Sequence, residues 1–336
     1  MSSAPLFLQW LPGSTGINLA RVALTFAIAT ASFYLLEQPV RRGRLPLVQS
    51  SVPRFVTATV ATTAAVAVVI LWSTANATDD IAAQDIPGCP ATGDMVCVRY
   101  EAPRGRPVLA VIGDSIARSL DPAFLILARE HNWTYVLAAK NACRVTHLLT
   151  SYEGQVRPFD QQCFETTPRV IRRVLRWKPA AVVAIDRWEI MDFVDADGNV
   201  QPRGTPEHIR LTEQALVDVS REIASTGTPI AFIELPPALN PDCGKTLPLS
   251  SPACLFRVAD DAAQAPYNSI LKRLPATVPG TLMLSINKSV CPDGLCAPQV
   301  GDLVLRFDGL HFTPAAGAWL APILWEEMKA SNLLSD

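Results

Sequence analysis

The segment VLAVIGDSIARSL, residues 108–120, contains the pattern that most directly indicates the fold class. Its first half belongs to a continuous apolar run over residues 107–112, which is typical of a strand buried on both faces of a parallel sheet. Gly113 then allows the backbone to turn sharply. Over residues 116–131 the apolar side chains recur at helical spacing. A buried strand, a tight turn and a helix in this order predict an α/β domain.

Apolar runs and amphipathic segments continue to alternate along the rest of the chain. Four further strands are predicted at residues 135–138, 180–185, 229–234 and 282–286. Helices are predicted at residues 170–177, 206–225, 258–274 and, with Thr313 as N-cap and Pro314 at its first position, up to about residue 329. Strands joined by helical crossovers form a parallel sheet with helices on both faces. In such sheets ligands bind at the carboxyl ends of the strands.

Ser115 is a candidate nucleophile because it lies at the turn between the first strand and its helix. The positive end of the helix dipole favours negative charge that develops there. The alternative is that Ser115 only caps the helix, which is a common role for serine. A serine nucleophile also needs a base, and that base needs an orienting acid.

Asp308 and His311 supply a candidate acid and base near the other end of the chain. They belong to the segment Asp-Gly-Leu-His that precedes the last predicted helix. This spacing can bring the carboxylate to Nδ1 of the imidazole while Nε2 faces Ser115. The alternatives are a plain Asp-Gly turn and a surface histidine. Of the four histidines in the chain, His311 alone has an acid at this spacing.

The composition excludes two classes of protein. With 29 Lys and Arg against 31 Asp and Glu, the formal charge is -2. Such a chain is a poor candidate for a nucleic-acid-binding protein, because neutralisation of phosphates by basic residues dominates that affinity. The hydrophobic fraction of 49% excludes a disordered chain. The charged fraction of 18% lies below the roughly 25% that is usual for soluble domains. Part of the chain is therefore expected in lipid.

Two apolar stretches near the N-terminus predict transmembrane helices. Residues 17–36 contain a single charge, Arg21, and residues 55–72 contain none. Each approaches the roughly 20 residues that span a hydrocarbon core, and a pair of buried core helices is the alternative. The loop between them carries four basic residues: Arg41, Arg42, Arg44 and Arg54. The positive-inside rule places this loop in the cytoplasm and everything after residue 75 outside.

The eight cysteines indicate the same compartment, since all of them follow residue 88. Disulfides need an oxidising environment outside the cytoplasm. Eight cysteines allow about 105 pairings. The simplest set joins neighbours within loops: 89–97, 143–163, 243–254 and 291–296. The spacings do not suit a zinc site, so no metal or other cofactor is expected.

Gly-Asp-Ser after the first strand and Asp-x-x-His before the last helix resemble the pattern of SGNH (GDSL-like) hydrolases. The resemblance covers about residues 107–330 and implies a flavodoxin-like, three-layer α/β/α fold with a parallel sheet. It also implies that Ser115 is the nucleophile, His311 the general base and Asp308 its orienting acid. An α/β-hydrolase fits less well, because its G-x-S-x-G elbow would require glycine where Ala117 stands.

The N-terminal segment resembles the final membrane helix of the acyltransferase-three family. That helix ends in a pattern matched here by Ser32, Glu37, Pro39, Arg41 and Arg42. Fused bacterial proteins of this kind O-acylate, usually O-acetylate, cell-surface glycans. The resemblance implies that residues 1–45 are the last transmembrane helix of an acyltransferase-three-like domain with a cytoplasmic basic loop. It further implies a linker transmembrane helix over 46–75, an extracytoplasmic stalk over 76–106 and an SGNH domain over 107–336.

The same resemblance implies the partners. The membrane histidine and arginine motifs of the acyltransferase-three family are absent here, so the acyl donor is expected from a membrane acyltransferase domain or partner. The acceptor is a glycan hydroxyl, and the chain also contacts membrane lipid. Nucleic acid is not expected.

The residues that stabilise the oxyanion and bind substrate are expected at three strand ends. The backbone N–H of Ser115 is one expected donor, and a second is expected near residues 141–143. An Arg-Trp pair follows the third strand, as it often does in the fused proteins. The full set of expected residues is Gly113, Asp114, Asn141, Ala142, Arg187 and Trp188.

Three functions fit these features of the sequence. The first is an acyltransferase that works through an acyl-enzyme on Ser115. The second is a membrane-anchored esterase that removes acyl groups from the same glycans with the same triad. The third is a catalytically weak remnant or a glycan-binding module.

Overall fold

The computed structural model describes residues 89, 96–244, 246–306 and 308–334. The two predicted transmembrane helices lie outside the described residues. Within the described part of the chain, we find no helix whose length and hydrophobicity would suit a membrane span.

Six strands form the central sheet of the domain. Their bounds are Val96–Tyr100 (β1), Val108–Gly113 (β2), Thr134–Ala139 (β3), Ala181–Ile185 (β5), Ile230–Glu234 (β8) and Thr281–Ser285 (β10). Their order is β1-β3-β2-β5-β8-β10. All neighbours are parallel except β1, which pairs antiparallel with β3. The five parallel strands follow the flavodoxin-like order, and the order reverses between β2 and β5.

Helices cover both faces of this sheet. Their bounds are Ser115–Ser119 (α1), Asp121–His131 (α2), Pro158–Leu175 (α3), Pro206–Ala224 (α4), Ala265–Thr277 (α5), Asn287–Val290 (α6) and Pro314–Ala330 (α7). Apolar side chains of α1, α2 and α7 pack against one face, and those of α3, α4 and α5 pack against the other. Successive residues of β2, such as Ala110 and Val111, pack into the cores on opposite faces of the sheet, because the side chains of a strand alternate in direction. The predicted α/β/α architecture with a mostly parallel sheet is confirmed.

Short strands form three smaller sheets. Leu149–Ser151 (β4), Asp192–Val194 (β6) and Val200–Gln201 (β7) form an antiparallel sheet of their own. Phe256–Arg257 (β9) pairs with Leu295–Cys296 (β11), and Gln299–Val300 (β12) pairs with Leu303–Val304 (β13).

Helix boundaries depart from prediction where local backbone chemistry intervenes. The helix predicted over residues 116–131 is two helices, because α2 begins at Asp121 with Pro122, which lacks the N–H of a continuous helix. Helix α3 begins at Pro158, twelve residues before the predicted start, because the polar residues of its first turns hide the apolar period. Helix α5 begins at Ala265 instead of 258, since Asp261 binds the Gln264 N–H in a turn.

Residues 96–100, assigned from sequence to the stalk, form the edge strand of the domain sheet. Cys97 of this strand is joined to Cys89. All four neighbour disulfides expected from sequence are formed: 89–97, 143–163, 243–254 and 291–296. The domain sheet therefore begins about ten residues earlier than the boundary at residue 107.

Candidate active site

Ser115, His311 and Asp308 form one hydrogen-bonded chain at the carboxyl end of the sheet. Ser115 Oγ lies 2.8 Å from Nε2 of His311. Nδ1 of His311 lies 2.5 Å from Oδ2 of Asp308. We assign the proton of the neutral imidazole to Nδ1, because that nitrogen faces a carboxylate and Nε2 then accepts from the serine hydroxyl. This arrangement can remove a proton from Ser115.

The loop that contains Asp308 holds its carboxylate towards His311. The second carboxylate oxygen, Oδ1, accepts the backbone N–H groups of Leu310 at 2.9 Å and His311 at 2.8 Å. Burial raises the pKa of Asp308, but the hydrogen bonds and the charge of His311 outweigh it, so the pKa lies below its ordinary value. The carboxylate is thus kept ionised, as an orienting acid must be.

Gly113 positions Ser115 by allowing two strand ends to approach closely. Its φ is +150°, and a Cβ at this position would lie 1.9 Å from the carbonyl oxygen of Ile185. The next residue, Asp114, donates its N–H to that same oxygen at 3.2 Å. Ser115 then begins helix α1, where its side chain projects beside the sheet edge. The glycine of the Gly-Asp-Ser pattern is therefore required for close packing against β5 as well as for the turn.

The side chain of Asp114 forms hydrogen bonds to three separate segments and does not face the open site. Its Oδ1 caps α1 by accepting the Ile116 N–H at 2.8 Å. Its Oδ2 accepts from Nη1 of Arg144 at 2.6 Å and from the backbone N–H of Arg187 at 3.0 Å. The side chain is almost fully buried. Its expected contact with substrate is therefore replaced by a structural role beneath Ser115.

Arg187 and Trp188 also point into the protein. The Arg187 guanidinium donates to Glu189 through Nη1 and to the carbonyl oxygen of Pro236 through Nη2. Trp188 is fully buried and its ring lies 6.4 Å from that of Phe232. Neither side chain has the exposure that substrate binding from solvent requires, because the loop after β5 is covered over residues 186–189.

Asn141 and Ala142 lie in the loop after β3, which borders the Ser115 turn. The N–H of Lys140 donates to the carbonyl oxygen of Gly113 at 3.1 Å. Ala142 has φ +58°, and Cys143 anchors the loop to α3 through its disulfide to Cys163. Both predicted residues are partly exposed. Of the residues expected to stabilise the oxyanion, Asn141 and Ala142 thus lie at the accessible edge of the sheet.

Three buried charged residues beneath the site were not anticipated from sequence: Arg144, Asp186 and Arg306. Burial raises the pKa of Asp186 well above its ordinary range, the neighbouring Asp114 raises it further, and Arg144 opposes both. Oδ2 of Asp186 accepts the Val145 N–H at 2.5 Å. In the sequence, Asp186 is marked only by its position directly after a predicted strand and Arg306 only by its position two residues before Asp308, and nothing marks Arg144. Within the described residues, no group of acids, cysteines and histidines is arranged to hold a metal ion.

Several solved structures resemble the chain at low similarity. The periplasmic domain of a lipopolysaccharide acetyltransferase from Salmonella ser. Paratyphi A is 15% identical, with a TM-score of 0.48 over 68% of this chain and 84% of that one. An acetyl xylan esterase is 13% identical, with a TM-score of 0.40 over 65% and 98%. A GDSL-like lipase from Bacteroides thetaiotaomicron is 14% identical, with a TM-score of 0.39 over 69% and 92%. No curated protein sequence is significantly similar to the chain.

A family of related sequences matches most of the chain. The match extends over residues 78–326, from before β1 into helix α7, and includes Ser115, Asp308 and His311. The family is described as the SGNH domain that is fused to AT3 domains, and this chain belongs to it.

Proposed function

We propose that this chain is a membrane-anchored, extracytoplasmic acyltransferase that acts through an acyl-enzyme on Ser115. The acceptor is a hydroxyl of a cell-surface glycan, and the acyl group is acetyl. The observation that carries the proposal is the hydrogen-bonded chain from Ser115 Oγ through His311 to Asp308, with distances of 2.8 and 2.5 Å. Membership in the family of SGNH domains fused to AT3 domains supports acyl transfer as the chemistry.

The reaction proceeds in two matched halves. In the first, Nε2 of His311 takes the Ser115 proton as Oγ attacks the acyl carbon, and then gives it to the leaving group of the donor. In the second, a glycan hydroxyl loses its proton to Nε2 and attacks the acyl carbon, and Ser115 Oγ leaves and regains the proton. Asp308 stays ionised throughout and stabilises the imidazolium.

Each half passes through a tetrahedral oxyanion that needs hydrogen-bond donors. The Ser115 N–H is at the first position of α1, where a helix provides no acceptor for it. The second donor belongs to the 141–142 turn, which the Lys140–Gly113 hydrogen bond keeps beside Ser115. Removal of one such donor typically lowers kcat about 10²–10³-fold.

The four disulfides support an extracytoplasmic location, since they form in oxidising compartments. The apolar sequences of residues 17–36 and 55–72 support the proposed membrane anchor. The acyl donor is delivered by a membrane acyltransferase domain or partner. The triad chemistry itself requires no metal or cofactor.

A deacylating esterase is the second candidate. The side chains of His311 and Asp308 are 13% and 17% exposed, so water can reach the base. An acyl-enzyme attacked by water instead of a sugar gives hydrolysis with the same residues. Transfer and hydrolysis therefore differ in the acceptor alone.

The test uses the purified full chain with p-nitrophenyl acetate, which releases a coloured product on acylation. Intact-mass spectrometry is expected to show one acetyl group on the wild type and none on Ser115→Ala. Ser119→Ala, on the same helix, is the matched control and keeps the adduct. Added glycan that shortens the lifetime of the adduct and becomes acetylated supports transfer. Adduct decay that is insensitive to any glycan favours the esterase.

A folded wild type that shows the same background signal as Ser115→Ala would overturn the proposal for the isolated chain. Such a result would favour the weak remnant or glycan-binding module instead.

A further inference from the structure

The segment after β8, residues 235–240, lies directly against the loop that contains Asp308. We call residues 235–240 the proline segment, since it contains Pro236 and Pro237. The N–H of Leu239 donates to the carbonyl oxygen of Gly309 at 3.0 Å. A Cβ on Gly309 would lie 2.4 Å from the carbonyl oxygen of Leu239. The two backbones therefore touch with no room for a side chain between them.

A regular series of backbone hydrogen bonds cannot hold the proline segment in place. Pro236 and Pro237 have no N–H, and both are buried in irregular backbone. Buried carbonyl groups in such a segment need donors from elsewhere. Nη2 of Arg187 donates to the oxygen of Pro236, and Nη1 of Arg306 donates to that of Pro237 at 2.6 Å. Two consecutive carbonyls are thus held by two guanidinium groups from different parts of the chain.

Both arginines are buried to an unusual degree, with 1% exposure for Arg187 and 0% for Arg306. Glu189 balances the charge of Arg187. Within the described residues, Arg306 forms no ion pair. Burial lowers the pKa of Arg306 to about 9, Arg187 lowers it too, and Asp308 opposes them. A buried cation without a close partner is destabilising, so these contacts point to a role beyond stability.

The two arginines complete a path from the nucleophile to its base. Asp114, next to Ser115, accepts the backbone N–H of Arg187 at 3.0 Å. The side chain of Arg187 donates to the proline segment, and so does that of Arg306. Arg306 stands two residues before Asp308 in the chain. Residues 196 positions apart in sequence, Ser115 and His311, are thereby connected through a short series of contacts.

We propose that Arg187 and Arg306 are positioning residues, which clamp the proline segment between the loop after β5 and the Asp308 loop and so set the separation of Ser115 and His311. Their effect on rate rests on the proposed function, but the clamp itself does not. A misplacement of about 1 Å can lower a rate about 10²-fold, so a small shift of the proline segment is enough to matter.

The test compares Arg306→Met, Arg306→Lys and Arg99→Met in the full chain. Arg306→Met removes the donor and the charge. Lysine keeps the charge but reaches less far, so its effect is expected to be intermediate. The control is Arg99 on the edge strand β1, a mostly buried arginine with 10% side-chain exposure that pairs with Asp121 at 2.7 Å. Ser115 acylation by p-nitrophenyl acetate should fall in kcat by about 10²-fold in Arg306→Met, with KM unchanged, and stay unchanged in Arg99→Met.

Hydrogen exchange of the proline segment gives a second measurement that needs no activity. The amides of residues 238–240, above all Leu239, should exchange faster in Arg306→Met and not in Arg99→Met. If the wild type is not acylated, the proposed function fails and this exchange comparison still decides the clamp. If Arg306→Met does not fold, the local exchange rates in Arg306→Lys decide it. Unchanged exchange at residues 238–240, or equal loss of rate in Arg99→Met, would overturn the inference.

Discussion

At the scale of single residues, the candidate site depends on two glycines that no other residue could replace. Gly113 and Gly309 lie where one backbone approaches another closely, Ile185 in the first case and Leu239 in the second. Each glycine lies within two residues of Ser115 or Asp308 in sequence. The positions of the candidate nucleophile and acid are therefore fixed by backbone contacts as well as by side-chain hydrogen bonds.

Gly113→Ala tests this dependence. The new Cβ would lie 1.9 Å from the Ile185 oxygen, so the strand ends must separate. We expect a loss of at least about 2 kcal/mol in free energy of unfolding and a large loss of Ser115 acylation. Urea unfolding and intact mass measure the two effects.

Gly105→Ala is the matched control, because Gly105 also has positive φ, +86°, but has nothing within 4 Å of its Cβ position. It should cost only about 1 kcal/mol for backbone strain and leave acylation unchanged. Equal losses of stability in both variants would show that position 113 requires glycine for its backbone conformation and not for its close approach to Ile185.

At the scale of elements, a buried histidine connects the small β4-β6-β7 sheet to helices α4 and α5. Nε2 of His208, in the first turn of α4, lies 2.8 Å from the carbonyl oxygen of Met191. Its Nδ1 lies 2.8 Å from the hydroxyl of Tyr267 on α5, and its ring stacks on Phe193 of β6. These partners suit a neutral ring that donates from Nε2 and accepts at Nδ1.

Burial lowers the pKa of His208 below its ordinary value, although the Met191 carbonyl opposes this. The unfolded chain therefore binds the His208 proton more readily than the folded one. The neutral His208 ring therefore makes its full contribution to the free energy of unfolding above the unfolded pKa of about 6.5. This contribution is lost as the pH falls from there through the folded pKa.

We predict that the free energy of unfolding decreases as pH falls from about 7.5 to about 5, and that it decreases less in His208→Gln over the same interval. Urea unfolding at both pH values measures the difference. His147→Gln is the control, since His147 is exposed, and it should keep the pH dependence of the wild type. A wild-type slope retained in His208→Gln would assign the dependence to other groups.

At the scale of the whole molecule, the charge pattern and the cysteines make the same prediction about topology. The basic loop around residues 41–54 belongs inside, and the domain with its four disulfides belongs outside. The two rules are physically independent, because one concerns insertion of charge and the other concerns redox chemistry.

Reporter fusions test this topology. Alkaline phosphatase requires its own disulfides, so it should be active when fused after residue 336 and inactive when fused after residue 46. Green fluorescent protein at the same two positions provides the reciprocal control. Activity at residue 46 and none at the C-terminus would contradict the predicted orientation.

Much of the fold followed from local pattern. The five parallel strands were each predicted to within one or two residues at either end, because buried strands in parallel sheets are continuous apolar runs. The neighbour disulfides followed from loop spacing. The start of α3 did not, because the buried positions of its first turns are Asp160, Cys163 and Thr167, which form no apolar period that can be detected.

The α/β architecture, the edge of the sheet at which the site lies, and the candidates Ser115, Asp308 and His311 could be predicted from the amino-acid sequence. These follow from motifs in which neighbouring residues act together. The inward direction of Asp114, Arg187 and Trp188, and the burial of Arg144 and Arg306 beneath the site, became evident in the tertiary structure alone. The reason is physical: their burial and their hydrogen-bond partners come from segments far away in the chain, so no local pattern specifies the direction in which such a side chain points.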